Sequence, residues 1–520
     1  MSPAWFFRVV VLPGLLMLAA GGGLGCYYET NDDFALTLLL RGSTAPGPVT
    51  DLHLYFHGYA GLLAALYASW PLLPWYGLLL YALLYGASVL TFAVLDRLLI
   101  RHLTPGQVVV LLTSFWVVAW LEHVLWFNYS RVPVLLAGAG LLFAAQRAGR
   151  LPALLLGLLA FGLGWLIRPS AAVLGLLVVV PGCWWLAGRR AARPLLGAAA
   201  LALVGALWLS ATATPAEQAY RRLDVLKSGL NDYQLYQPRP RTGPDSLGIA
   251  AVQHWLLADS TIVNEALFAR AGGISTSYLL RETFPAKLTT LLSLVGRDYF
   301  PLLLLNLLLT GIVVRRRPVG SGWFWLGQLW FMGLVLGLGI VLKLPPRLGL
   351  PLFGLWTVGN LAFVLPLAQA PWRRMPVLAG LAAVVLLVYG LKSGHRVQVL
   401  SREQRGREVR LHQLFQASKG NILVTDAESL DGKGLSPFRR YSTTRPVLLL
   451  TGWTTLDPSQ AALRQQLTGT RDYARALIRL RSRPGVVWVL VPETRILLKH
   501  YFQTRTRYSM HADNRGKNGP

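Results

Sequence analysis

The chain has 520 residues, of which 54% are hydrophobic and 14% charged, whereas an average soluble domain carries about 25% charged residues. These proportions exclude a disordered chain, a coiled coil and an ordinary cytosolic enzyme, and two cysteines exclude a disulfide framework or a cysteine-built zinc site. The net charge of +27 is not a nucleic-acid signature, because much of it stands in short clusters between apolar segments: Arg97/Arg101, Arg147/Arg150, Arg189/Arg190/Arg193, Arg315/Arg316/Arg317 and Arg373/Arg374. Such clusters mark the cytoplasmic loops of a polytopic membrane protein, and a second share of the charge lies in the tail after Gly394.

In chain order, apolar segments near the length needed to cross a bilayer predict helices at about 5–25, 75–95, 107–127, 132–146, 152–167, 171–187, 194–211, 299–314, 321–342, 348–369 and 376–392. The first is longer than the apolar part of a signal peptide and is read as uncleaved. The segment 53–71 is also apolar. Its rings at His53, Tyr55, His57, Tyr59, Tyr67 and Trp70 favour the headgroup region, so it is read as interfacial. The expected fold class is therefore mainly α: a polytopic bundle of about 11 spans with a small C-terminal α/β domain outside the cytoplasm.

The membrane domain is expected over 1–394, with outer loops at 26–74 and 212–298. The second loop should hold helices near 216–228, 247–258 and 260–271 around a turn-prone run at 238–244. Beyond Gly394, the domain 395–503 should hold a charged helix near 398–418 and buried strands at 421–425, 446–451 and 486–491. Helices at 458–468 and 470–482 lie between the last two strands. The basic tail 504–520 reads as disordered. By charge parity the acidic stretch 29–33, the loop 212–298 and the C-terminal domain share the outer side.

The sharpest chemical feature is Tyr27-Tyr28-Glu29-Thr30-Asn31-Asp32-Asp33-Phe34, with three carboxylates directly after the first span. A carboxylate there can take a proton from a nucleophilic hydroxyl, and two adjacent acids can hold a divalent cation. The competing reading is a cap for a helix starting near Phe34. A second feature is cations kept outside against the positive-inside bias, Arg168 in Trp165–Ser170 and Lys343 with Arg347 in the Pro-Pro loop. Guanidinium groups grip phosphate bidentately; snorkelling is the alternative, stronger for Arg168. Glu122 and His123 lie within an apolar segment. His53 and His57, four apart, would share a helix face, and interfacial anchoring is favoured over metal binding. Gly333 and Gly337 fit small-residue helix packing.

A first span, an acidic pair opening a long outer loop with interfacial helices, and then many spans together resemble the GT-C superfamily of membrane glycosyltransferases. That superfamily includes protein O-mannosyltransferases, oligosaccharyltransferases and bacterial lipid A sugar transferases. The resemblance rests on Asn31-Asp32-Asp33, Leu52–His57 and Trp75-Tyr76, and covers roughly residues 1–392. It implies a multi-pass protein of the bacterial inner membrane, acting in the cell envelope. Such a protein would move a sugar from a polyprenyl-phosphate donor to a lipid or glycan acceptor on the outer face, with no nucleic-acid partner. It makes Asp32 or Asp33 the catalytic carboxylate and Arg347, with Lys343, the carrier-phosphate site. Arg168, Glu29, His53 and His57 are further candidate substrate contacts. The chemistry requires no cofactor, and a divalent cation remains an option without assigned ligands. Two other classes remain open: a transporter or flippase for a lipid-linked or anionic solute, which draws on the same charges at Arg168, Glu122 and Arg347, and a non-catalytic envelope-polysaccharide assembly protein with the tail as docking domain.

Overall fold

The computed structural model describes residues 2–367, 376–441 and 446–516; the expected basic pair Arg373/Arg374 lies outside them. The chain is mainly helical. Five helices are long and apolar enough to cross a membrane, or six if the bent pair Thr276–Arg297 and Phe300–Arg316 is one span. This is a helical membrane protein. Pro105–Ala119, Arg131–Gln146 and Leu151–Ile167 are apolar but only 15, 16 and 17 residues long. At 1.5 Å per residue they fall short of a hydrocarbon core of about 30 Å.

The helices begin where local chemistry allows. Thr104 and Gln107 form a capping box ahead of Pro105, satisfying backbone donors that a helix start leaves open. Thr214 and Glu217 do the same for Pro215–Asn231. At the centre of the bundle Arg131–Gln146 and Leu151–Ile167 pack closely and antiparallel. A Cβ on Gly140 would stand 2.9 Å from the Gly157 carbonyl, and one on Gly157 would stand 2.6 Å from that of Gly140. Only glycine permits that approach. Gly333 and Gly337, expected to serve this purpose, would meet nothing within 4 Å; their helix face lies open. Gly188, at φ +55°, turns the chain between Pro169–Ala187 and Ala192–Ala211. Those two helices, counted as one long candidate span, thus form a hairpin.

One small piece of pairing places the acidic stretch. Tyr27–Tyr28 runs parallel to Trp126–Phe127, and the Glu29 amide donates to the Phe127 carbonyl at 2.8 Å. The residues that follow each strand, 29–33 and 128–131, are therefore neighbours. In the segment 53–71 the helix is Tyr59–Ser69. His53 and Phe56 precede it at φ 57° each, in the left-handed region. His53 and His57 consequently do not share a helix face as expected, since a left-handed residue breaks the 3.6-residue repeat.

The C-terminal part departs from the expected layout in three ways. The boundary at Gly394 falls inside one helix, Pro376–Ala417, which joins the last expected span to the charged helix; an interior glycine costs only about 1 kcal/mol. The three strands Ile422–Thr425, Val447–Leu449 and Val486–Val489 do form a parallel sheet, with Ile422–Thr425 central. But its core is shared with the loop 212–298: Leu247, Val252, Leu256 and Leu267 pack with Val424, Leu448 and Leu463. A three-stranded sheet buries little by itself, so helices from the loop complete it. Finally, the tail continues as helix Pro492–Gly516 rather than losing structure at 504, and residues 517–520 lie outside the described residues.

Candidate functional site

The helix carrying the acidic pair starts earlier than expected, at Asn31 with Thr30 as N-cap. Asp32 and Asp33 thus occupy its first turn, where negative charge is favourable, and successive side chains diverge. Asp33 is fully buried. It accepts hydrogen bonds from the Tyr76 hydroxyl at 2.8 Å, the Asn128 amide nitrogen at 2.9 Å and the Tyr129 backbone amide at 2.9 Å. Asp32 is half-exposed. Its Oδ1 accepts from Trp453 Nε1 at 2.9 Å and its Oδ2 from the Thr30 hydroxyl at 3.3 Å. Asp32 is thus the freer of the pair, because the helix begins three residues before Phe34 and turns Asp33 inward. The carboxylates point to different partners and form no shared cation cradle.

Around Asp32 the wall is aromatic. Tyr55 stands edge-on to Trp453 with ring centroids 5.7 Å apart and lies 5.2 Å from Tyr129. The Arg168 guanidinium is 5.2 Å from the Tyr55 ring and 5.5 Å from that of Tyr129. It donates to the Ser130 hydroxyl at 2.6 Å and to the Tyr129 hydroxyl at 3.4 Å. Arg347 is half-buried in the first turn of Pro346–Val364. Burial pushes the Tyr129 phenol well above its usual range; Tyr55 and Asp32 add to this, while Arg168 and Arg347 pull against it. One hydroxyl therefore feels the one carboxylate and both guanidiniums. Neither guanidinium has a carboxylate partner among the described residues, in contrast to Arg8 with Asp96, Arg131 with Glu29 and Arg396 with Glu122 and Asp298.

The C-terminal segment closes one side. The Asn31 side chain donates to the Ala427 carbonyl at 3.0 Å and accepts from the Gly432 amide at 2.7 Å. The Tyr28 amide donates to the Leu435 carbonyl at 2.8 Å. The acidic stretch and this segment are thus clasped together, and Trp453 reaches Asp32 from the same segment.

The other expected residues stand elsewhere. Glu29 is buried in a two-pronged ion pair with Arg131, at 2.8 and 3.0 Å, and Arg131 also bonds His123 at 2.9 Å. His57 is buried beside Trp165, and burial pulls its imidazole down to about 4. Lys343 is exposed in the connector before Arg347. His53 faces Asp51 and Glu217. Glu122 binds Arg396 at 2.5 Å, and Arg396 reaches Asp298 at 3.0 Å, so the apolar-segment acid belongs to a structural ion network. A cavity of about 450 Å³ lies apart from Asp32, lined by Leu226, Tyr236 and Phe268. Sequence reasoning missed Trp453 as a partner of Asp32, as well as Tyr129 and Ser130. The polar run Asn128-Tyr129-Ser130 between two apolar segments was the available signal for the latter; Trp453 carried none.

Burial is the largest influence on Asp33 and pushes its carboxyl up to about 8, against the bonds from Tyr76 and Tyr129. An unfolded aspartate titrates near 3.9. Between these values the folded state holds the extra proton, so this group's contribution to stability falls as pH rises from about 4 to about 8. Thermal unfolding in detergent between pH 5 and pH 8 is expected to show a smaller drop in midpoint for Asp33→Asn than for the wild type. An equal drop would mean that Asp33 does not titrate in this range.

No protein family, no curated protein and no solved structure matches the chain.

Proposed function

We propose that the protein is a membrane glycosyltransferase that moves a sugar from a polyprenyl-phosphate donor to an acceptor hydroxyl outside the cytoplasm. On this reading the bundle has eleven spans, counting the two helices of the Gly188 hairpin separately and adding the bent pair, the three shorter apolar helices and the first part of Pro376–Ala417, and the sheet domain stands on the outer side. The observation that carries the proposal is the Arg168 guanidinium, which bonds Ser130 and Tyr129, lies over Tyr55 and has no carboxylate partner among the described residues; Tyr55 stands edge-on to Trp453, which holds the half-exposed carboxylate Asp32, and Arg347 adds positive field from the first turn of Pro346–Val364. Uncompensated cations in a partly buried, aromatic-walled setting favour an anion, and a lipid phosphate supplies one at this depth. The sugar would lie between the phosphate and Asp32.

The chemistry needs few parts. Arg168 and Arg347 hold the phosphate and stabilise the charge that grows on it as the glycosidic C–O bond breaks. The acceptor oxygen attacks the anomeric carbon, and Asp32 takes the acceptor proton. Trp453 and Thr30 hold the carboxylate in place through its two oxygens. Tyr55 and Tyr129 offer ring faces of the kind against which a sugar ring can pack. Asp33, buried under the first turn, supports the scaffold rather than the reaction.

The test is transfer from radiolabelled polyprenyl-phosphate sugars in membranes containing the protein, at matched expression. Arg347→Ala should raise KM at least as much as it lowers kcat, because it removes a contact to the donor already made in the ground state. A transporter would instead move the intact lipid-linked sugar across vesicles with no transfer. An assembly protein would do neither, and either result would overturn the proposal.

A further inference from the structure

A second polar group stands apart from Asp32 and is built from stretches distant in sequence. Asp51 and His53 belong to the first outer loop, and Glu217 to the first turn of Pro215–Asn231. One ligand atom from each lies within 4.8 Å of the other two. His53 Nδ1 stands 3.3 Å from Asp51 Oδ2 and 3.4 Å from Glu217 Oε1. That nitrogen is shielded from solvent and faces both carboxylates at a distance longer than a usual hydrogen bond. The remaining oxygens are used by the backbone. Asp51 Oδ1 accepts from the His53 amide at 2.9 Å, and Glu217 Oε2 from the Thr214 amide at 3.0 Å. Arg221 holds the His53 carbonyl at 3.2 Å. Each carboxylate is thereby pinned through one oxygen with the other turned toward His53, whose backbone Arg221 holds.

We propose that Asp51, His53 and Glu217 bind a divalent transition-metal ion, zinc in class. Ligand atoms about 2.1 Å from an ion at tetrahedral angles stand about 3.4 Å apart, the separation His53 Nδ1 already keeps from both carboxylates. An imidazole with two carboxylates suits zinc-like ions, whereas magnesium and calcium take all-oxygen shells. Asp457, whose charge also acts on His53, adds negative potential from the C-terminal segment. Asp51 is the exposed member, so the fourth position opens to water. The ion would fasten the first outer loop to the second. It would also hold Tyr55, two residues past His53, against Trp453 and Arg168.

The experiment uses the full chain in detergent with an affinity tag free of histidine. The protein is stripped with chelator, exposed to zinc chloride and desalted, and its metal content and thermal midpoint are measured. Neither readout depends on the transferase reading. The wild type should keep about one zinc per chain and unfold at higher temperature with zinc, because binding to the folded state stabilises it. Asp51→Asn, His53→Ala and Glu217→Gln should bind at least about tenfold more weakly and lose the thermal shift. Asp51 is exposed, and glutamine keeps the Glu217 capping oxygen, so two of the three should fold as the wild type does. His412→Ala, an exposed histidine elsewhere, should retain the metal. A wild type that keeps no stoichiometric zinc, or Asp51→Asn and Glu217→Gln proteins that keep as much as the wild type, would overturn the proposal.

Discussion

Asp32→Asn is expected to lower sugar transfer by a factor on the order of 10² to 10⁴, the usual worth of a positioned general base, while the protein still folds. Asparagine keeps the volume and one acceptor for the Trp453 indole N–H, which bonds Asp32 at 2.9 Å, but it cannot take a proton. Asp33→Asn, made at a fully buried position with three donors converging on it, should cost mainly stability and leave the turnover of the folded fraction near wild type. Transfer measured in membranes, normalised to folded protein, separates the two. The contrast matters more than either number. If Asp32→Asn transfers at the wild-type rate, the carboxylate is not the base and the transferase mechanism is wrong.

The largest stability effect is expected at the ion pair behind the site. Arg131 is 1% exposed and grips Glu29 through two nitrogens. Arg131→Met removes the cation and leaves a buried carboxylate with no counter-charge, which costs about 3–5 kcal/mol. Since whole-protein stabilities are about 5–15 kcal/mol, the variant should show a sharply lower yield of folded protein in detergent. Glu29→Gln combined with Arg131→Met removes both charges and should recover most of the loss. A double variant as unstable as Arg131→Met alone would show that the arginine acts through packing or through its bond to His123 at 2.9 Å rather than through the pair.

Much of the architecture was legible in the order of residues because its signals are local. Apolar runs placed the long apolar helices to within a few residues, but the polar or amphipathic helices Thr276–Arg297 and Pro492–Gly516 carry no such run and were not foreseen. The short apolar strands Ile422–Thr425, Val447–Leu449 and Val486–Val489 were placed to within a residue or two. These readings need only hydropathy, turn chemistry and capping, which operate within a few residues. Asp32 and the cations Arg168 and Arg347 were also visible as candidates, because a charge beside an apolar segment stands out in any sequence.

Which partner each charge meets is decided by tertiary structure alone. Asp32 and Asp33 are adjacent and chemically identical. They differ because the helix begins at Asn31 and rotates one toward Trp453 and the other beneath Tyr76 and Tyr129. Glu29 looked like part of the same acidic stretch until Arg131 was brought beside it by the pairing of Tyr27–Tyr28 with Trp126–Phe127. His53 seemed to belong with His57 by spacing, but a left-handed backbone turned it to Asp51 and Glu217. The loop 212–298 and the C-terminal strands looked like separate units, and they share one core because a three-stranded sheet cannot bury its faces alone. In each case the deciding contact joins residues far apart in sequence. Helix phase and chain crossing set those distances, and no local pattern encodes them.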